Sequence, residues 1–408
     1  MKKPMRIMLA AGLAAASIAA SAESSITVDN VVQRWPWNNK LDITYTVSGG
    51  QDVAAGVYAR IVFTASIGTT NIVIDGVNDV GANASDGTHT VTWTLPDGLR
   101  ANGCTMTAQL LSADVPSGDD YMIVDLDTGA VSWEGLYNTQ AESNERYNTA
   151  TYKTLKLALR KIPAGGPYPT GDDTNYSDKN SATNWTTTRD YYVGVFPVTQ
   201  RQYEKITGEK PSTCASVSSF DGNTKNHRPV ETVSWNDLRL STDPTSRIPA
   251  VASDSGTFFQ QLNYKTGFYF DLPTEVMCEI ALRAGATTTY YWGDTMVTNY
   301  VVCSEDPLTK SDKTTVAVGS KLPNAWGLYD TTGNVWEWCL DDTELANLAD
   351  AADPFTPSWS LGANRRLRGG GSFYQASSDS NYRASRRDGD PPSYQRRYAG
   401  FRVSMIVD

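Results

Sequence analysis

The 408-residue sequence predicts two unlike parts: a small all-β module, then a larger domain of short strands and helices joined by long irregular loops. Three observations carry this. Residues 25 to about 120 hold five alternating or β-branched segments, separated by turn signals, with no helical run between them. Beyond residue 150, segments with helix-capping signatures alternate with strand-like runs and Gly- and Pro-rich loops. Gly327–Asp341 then packs two tryptophans, a tyrosine, two glycines and three carboxylates into fifteen residues. An ordinary strand or helix has no use for that mixture, because tryptophan favours burial and a carboxylate avoids it unless paired or bound to a cation.

The first residues read as an export signal. Lys2, Lys3 and Arg6 precede an apolar, Ala-rich run from Ile7 to Ala20, and Ala20-Ser-Ala22 is a small-residue cleavage site. Residues 1–22 are therefore expected to be removed, which predicts a periplasmic or secreted protein. The run is short for a membrane span, and no other approaches that length. No cysteine directly follows the cleavage site, so a lipid anchor there is not expected. The net charge is −10, and the leader carries three of the positive charges, so the mature chain is more acidic still. That excludes nucleic acid as an expected partner and suits one that binds divalent cations.

In chain order, Leu41–Val47, Val57–Phe63, Thr70–Ile74, His89–Leu95 and Thr105–Leu111 read as strands. Ser48-Gly-Gly50, Asp97-Gly98 and Asn102-Gly103 supply turns, so residues 23–126 are expected to form a small antiparallel sandwich of the immunoglobulin-like kind. Tyr121–Leu126 is placed as its last strand, and 127–151, rich in Asn, Thr and Glu, as a linker. The second domain is expected over 152–408. Leu155–Lys161 and Asp190–Pro197 read as strands, with Pro163–Gly171 a loop between them. Thr199 with Gln202 makes a capping box for a helix that Gly208 ends. Ser234 begins a short helix, and Phe258, Phe259 and Leu262 share one face of another that stops at Gly267. Thr274 caps the clearest helix, Glu275–Arg283, with Gly285 after its end.

The chemistry-bearing residues are few. Asp330 and Glu337 flank a Gly-Asn turn that can bring both carboxylates together, and turn carbonyls could complete an oxygen cage of the kind calcium takes. A buried aromatic loop with one satisfied Glu is the equally open alternative. Nine arginines fall between Arg365 and Arg402. Their forks could tie loops together through carboxylates and carbonyls, or they could hold an anionic ligand. There are two histidines, His89 and His227, and no CxxC, so a His-based metal site, a Ser-His-Asp triad and a zinc ribbon are poorly supplied. The five cysteines leave an odd thiol, and the four beyond residue 200 allow three pairings that the sequence leaves open.

Six ordered segments carry a resemblance. They are Phe196-Pro-Val-Thr-Gln-Arg-Gln-Tyr203, Pro229-Val-Glu-Thr-Val-Ser-Trp235, Leu272-Pro-Thr-Glu275, Pro323–Cys339 with its Gly333-Asn-Val-Trp-Glu-Trp core, Arg368-Gly-Gly-Gly-Ser-Phe373, and Gly400-Phe-Arg-Val403. From about residue 152 to the end, the chain resembles the formylglycine-generating enzyme, or sulfatase-modifying factor, family. The resemblance implies a C-type-lectin-like α+β fold with much irregular structure. It also implies a structural calcium ion held by the side chains of Asp330 and Glu337 and the backbone carbonyls of Gly333 and Val335. A second family calcium site would begin at Asn299 and Tyr300, but Ser304–Lys313 departs from its pattern.

The resemblance does not extend to the family's oxidation. Its enzymes hold copper with two cysteines five residues apart, just after the Arg-Gly-Gly-Ser segment. Here Gln375 and Ser380 align with those positions, and no cysteine follows Cys339. An amide and a hydroxyl are poor ligands for copper(I), so no copper and no formylglycine-generating activity are expected. The expected function is a binding module for a peptide or glycan, in a pocket floored by Trp336 and rimmed by Ser372, Gln375, Ser380, Arg383 and Arg386. The alternative is a family enzyme with other chemistry, or an accessory factor that matures an exported partner such as a sulfatase.

Overall fold

The computed structural model describes residues 25–34, 39–48, 59–67, 70–75, 87–95, 104–112, 120–172, 181–214, 225–239, 256–304, 314–344, 354–360, 362–370 and 381–407. The chain divides into two units, Met1–Val115 and Pro116–Val407.

The first unit contains β1 (Ser25–Gln33), β2 (Lys40–Ser48), β3 (Ala59–Ile67), β4 (Thr70–Asp75), β5 (Gly87–Thr94) and β6 (Thr105–Ser112). They form two three-stranded antiparallel sheets, ordered β1-β2-β5 and β4-β3-β6. The period-2 pattern of β2 sorts its residues as expected. Leu41, Ile43, Tyr45 and Val47 are buried in a core shared with Ile61, Phe63 and Ala65 of β3. On the other face, Thr44 and Thr46 meet Thr90 and Thr88 across the strand pair. Tyr45 meets Phe63 edge-on at 5.4 Å, which joins the two sheets.

The second unit begins earlier than the sequence suggested. β7 (Tyr121–Asp125) pairs with β9 (Lys156–Ile162) and with β8 (Val131–Glu134), inside a five-stranded antiparallel sheet ordered β17-β12-β9-β7-β8. β12 is Tyr191–Gly194 and β17 is Ser404–Ile406. Tyr121–Leu126 is thus a strand as expected, but it belongs to the second unit and does not close the first. Nor are residues 127–151 a linker. They form β8, helix α1 (Gln140–Tyr147) and the start of α2 (Ala150–Thr154). Thr139 caps α1, Gln140 donates to the Tyr121 hydroxyl, and Asn148 donates to the Gly319 carbonyl 171 residues away. The predicted loop over 163–171 also differs. Gly165–Thr170 is β10, the partner of β11 (Thr183–Thr187) in a two-stranded ribbon, where strand prolines are tolerated.

The remaining helices follow their caps. In α3 (Gln200–Thr207) the Thr199–Gln202 box is complete, and Gly208 ends the helix at φ 76°. Ser234 boxes α4 (Trp235–Leu238), and Thr257 boxes α5 (Phe258–Thr266). α6 (Glu275–Arg283) is buried along its whole length, including Glu275 and Glu279. A helix buried all round must find polar partners for its polar face. Those partners come from the second sheet of this unit, ordered β15-β14-β13-β16. It comprises β13 (Trp336–Asp342), β14 (Arg365–Arg368), β15 (Asp388–Asp390) and β16 (Ala399–Gly400), with β13 and β16 parallel.

Candidate functional site: the Asp330–Glu337 turn and the arginine lattice

The turn is built from left-handed backbone. Asp330, Gly333 and Asn334 have φ of 50°, 81° and 63°. Only at Gly333 is the absence of a side chain required. A Cβ there would stand 2.5 Å from the Val302 carbonyl oxygen. The Asn334 side chain closes the turn like a backbone pair, accepting from the Val316 amide at 3.1 Å and donating to the Val316 carbonyl at 3.2 Å. The Gly333 amide points to the carbonyls of Gly369 and Gly370, and the Asn334 amide to that of Val302. Beyond the turn, β13 is buried throughout. Trp338 donates to the Val233 carbonyl at 3.0 Å, and Trp235 to the Cys339 carbonyl at 3.0 Å.

The two carboxylates have different surroundings. Glu337 is gripped by Arg402, whose Nε and terminal nitrogen donate to its two oxygens at 3.0 and 2.9 Å. The same guanidinium donates to the carbonyls of Gly194, Val195 and Tyr329. Asp330 is equally buried, but its hydrogen bonds come from amides: Gly319 N–H at 2.7 Å and Asn334 Nδ2 at a long 3.4 Å. Burial pushes its carboxyl above the usual range, against the pull of the Gly319 amide and the charges of Arg402 and Lys153. Arg402 therefore stands beside both carboxylates. The Gly333 carbonyl accepts from the Val335 amide at 2.8 Å. Among the described residues, no group of three or more His, Cys, Asp or Glu side chains is placed to hold a metal.

Of the expected pocket residues, Trp336 is 1% exposed, and the Arg386 guanidinium lies 5.9 Å over its ring. Arg383 is also buried, next to Asp172 and the Ser385 hydroxyl at 3.4 and 3.3 Å. Ser372, Gln375 and Ser380 lie outside the described residues, in 371–380. The ends that bracket that segment meet: a Cβ on Gly370 would stand 2.4 Å from the Asn381 carbonyl oxygen and 3.4 Å from Arg386.

The other arginines form a lattice. Glu275 takes a two-pronged bond from Arg387, both arms at 2.6 Å, with Arg366 and Arg368 at 3.2 and 3.4 Å. Burial alone would raise its carboxyl, but Arg387, Arg366 and Arg368 hold it below the usual range. Glu279 receives Arg368, Arg283 and the Gly171 amide. Arg239 forks onto Asp271. Asp341 accepts amides from Glu275 and Ser358, while burial and the neighbouring Glu275 charge push its carboxyl up to about 7. Asp341 was counted among the carboxylates of Gly327–Asp341 but given no role, and Glu279 was not picked out. The signal for Glu279 was its four-residue spacing from Glu275 on a helix in a chain with an arginine-rich tail.

The profile of the sulfatase-modifying factor enzyme 1-like domain matches residues 159–406, more than half of the chain. The chain belongs to this family. It is 34% identical over 153 residues to the formylglycine-generating enzyme of Streptomyces coelicolor, covering 34% of this chain and 47% of that enzyme. It is 29% identical over 208 residues to the chaperone protein LppX of Paenibacillus barcinonensis, covering 43% of this chain and 69% of that one. The family member described here thus spans about half the length of the Streptomyces enzyme. Among solved structures, Treponema denticola variable protein 1 superposes with a TM-score of 0.49 at 24% identity, over 62% of this chain and 95% of that one.

Proposed function

We propose that the second unit is a calcium-stabilised, non-oxidising binding module of an exported protein, with a polypeptide segment as its ligand and a glycan as the second candidate. The observation that carries this is the distribution of thiols. All five cysteines lie at or before Cys339, and Gln375 and Ser380 stand where the family's copper-binding pair would be. A scaffold without the soft ligands of its redox metal keeps its shape and its loops but not that chemistry. The C-type-lectin-like frame implied by the family suits ligand display on variable loops. Ligand contacts are assigned to Ser372, Gln375, Ser380, Arg383, Arg386 and Trp336. The first unit would serve as an immunoglobulin-like spacer or a second binding surface.

The calcium reading rests on Asp330. A buried carboxylate whose hydrogen bonds come only from amides is where a divalent cation would complete the charge balance. Glu337 is engaged by Arg402, yet each of its oxygens has a further acceptor position. With the Gly333 and Val335 carbonyls, the donor set is all oxygen, as a hard cation requires. The ion would fix the turn and take no part in chemistry.

The second reading, an accessory factor for an exported partner, is favoured by the relative named as a chaperone. Two assays separate the readings. Copper-loaded protein is given a cysteine-containing peptide and oxygen, and the peptide is examined for formylglycine. Calcium-loaded protein is applied to peptide and glycan arrays. Binding without aldehyde formation is expected. Aldehyde product, or blank arrays with folded protein, overturns the binding-module reading.

A further inference from the structure

Cys278 and Cys339 come from different elements and meet in the interior. Cys278 ends the first turn of α6 and Cys339 is in the middle of β13. Their sulfurs are 3.3 Å apart, and both side chains are buried. That is closer than the about 3.5–4.0 Å of ordinary carbon–carbon contact. An approach of about 1.3 Å more gives the separation of a covalent bond. The Cys278 amide is held by Thr274, the Cys339 carbonyl by the Trp235 indole, and Glu275 one turn before Cys278 by three arginines.

We propose that Cys278 and Cys339 form a disulfide in the mature protein, cross-linking α6 to β13. Each thiol gives up its proton, the pair gives up two electrons, and one S–S bond forms. The electrons and protons pass by thiol–disulfide exchange to an oxidised dithiol carrier or a small-molecule disulfide, which leaves as two thiols. Both sulfurs are buried in the folded unit, so exchange takes place during folding, before α6 docks on β13. The closed loop runs from residue 278 to 339 and includes the whole Asp330–Glu337 turn. The bond therefore constrains the segment that carries the candidate calcium ligands, in the compartment where disulfides persist. It rests on the export reading only for its supply of oxidant. Of the three pairings open to the four later cysteines, it selects the one that joins Cys278 to Cys339.

The full chain is produced with its leader in an oxidising compartment, quenched with N-ethylmaleimide and digested without reduction. Mass spectrometry should find the Cys278 and Cys339 peptides linked and two hydrogens lighter than their sum, separating on reduction. Reductant should lower the melting temperature by roughly 5–10 °C. The Cys278→Ala/Cys339→Ala variant should melt at the same temperature with and without reductant. A second sample, made reduced and refolded with oxidised glutathione, supplies the oxidant whatever the native compartment. Maleimide on both cysteines in both samples overturns the proposal, as does either cysteine linked to another partner. The mass readout is made on unsubstituted protein and does not depend on ligand binding, so blank arrays leave it intact.

Discussion

Removal of the Arg402 guanidinium is a severe perturbation of the second unit. The side chain is 3% exposed and its partner Glu337 6%. Arg402→Met keeps most of the aliphatic volume but strips two charge-assisted bonds from Glu337, and one each from the carbonyls of Gly194, Val195 and Tyr329. Breaking a buried ion pair by deleting one partner costs about 3–5 kcal/mol, because the remaining charge keeps its desolvation penalty. The three carbonyls lose their donor as well, which places the cost at the upper end, about 4–5 kcal/mol. That is a large share of the roughly 5–15 kcal/mol that holds a domain together. The assay is urea unfolding followed by tryptophan fluorescence, since Trp235, Trp336 and Trp338 are fully buried around this sheet. Arg402→Lys should recover little, because an ammonium cannot reproduce the planar fork. Glu337→Gln alone should cost less than Arg402→Met, since the guanidinium keeps its three carbonyls. The double variant should fall short of the summed single costs by about 2 kcal/mol or more. A cost below about 1.5 kcal/mol for Arg402→Met, or a cycle additive within about 0.5 kcal/mol, would refute the ion pair as the tie between β13 and the end of the chain.

Gly333→Ala forces a methyl against the Val302 backbone at a left-handed position. It should cost about 3 kcal/mol or more in the same unfolding assay, whereas Gly285→Ala, with open space around it, should cost only about 1 kcal/mol from its φ of 87°. Calcium at Asp330 predicts that chelator lowers the melting temperature of the unsubstituted protein and does nothing to Asp330→Ala; identical melting curves with and without chelator would remove the ion from the account. Asp341 gives a pH dependence. Its folded carboxyl, pushed up to about 7 from the ordinary 3.8, binds a proton that the unfolded chain releases, so its stabilising contribution is full below about pH 4 and lost as pH rises through 7. The limit is about 1.4 kcal/mol per pH unit over that window. Asp341→Asn should lower stability near pH 4, by spoiling one of the two amide bonds, and should flatten the slope between pH 4 and 7. An unchanged slope would show that Asp341 is ionised throughout.

Local chemistry was legible in the sequence; membership and partnership were not. The helices α3, α5 and α6 were readable because an apolar face and a glycine beyond it, with a cap for α3 and α6, are local signals. Tyr121–Asp125 was readable as a strand from its short apolar, β-branched run. Its sheet was not, because that depends on its register with Leu157–Arg160, set across a stretch that looked like linker. β10 was misjudged because Gly-Gly-Pro-Tyr-Pro carries turn composition, and only a two-stranded ribbon gives it a place. The arginine run announced itself by composition, but the partners of Arg368 and Arg387 are 89 and 112 residues away on α6.

The residues by which the family is most easily identified are mainly those that build the frame. Asn334 substitutes for backbone across from Val316, Trp338 and Trp235 exchange bonds between β13 and the region around α4, and Glu337 receives the Arg402 that ends the chain's last motif. Glu275 of the Leu-Pro-Thr-Glu segment gathers arginines from two later stretches. None of these contacts needs a redox metal, and each would be costly to lose because both partners are buried. The frame is thus under strong physical constraint, set by buried partners that lie far apart in sequence.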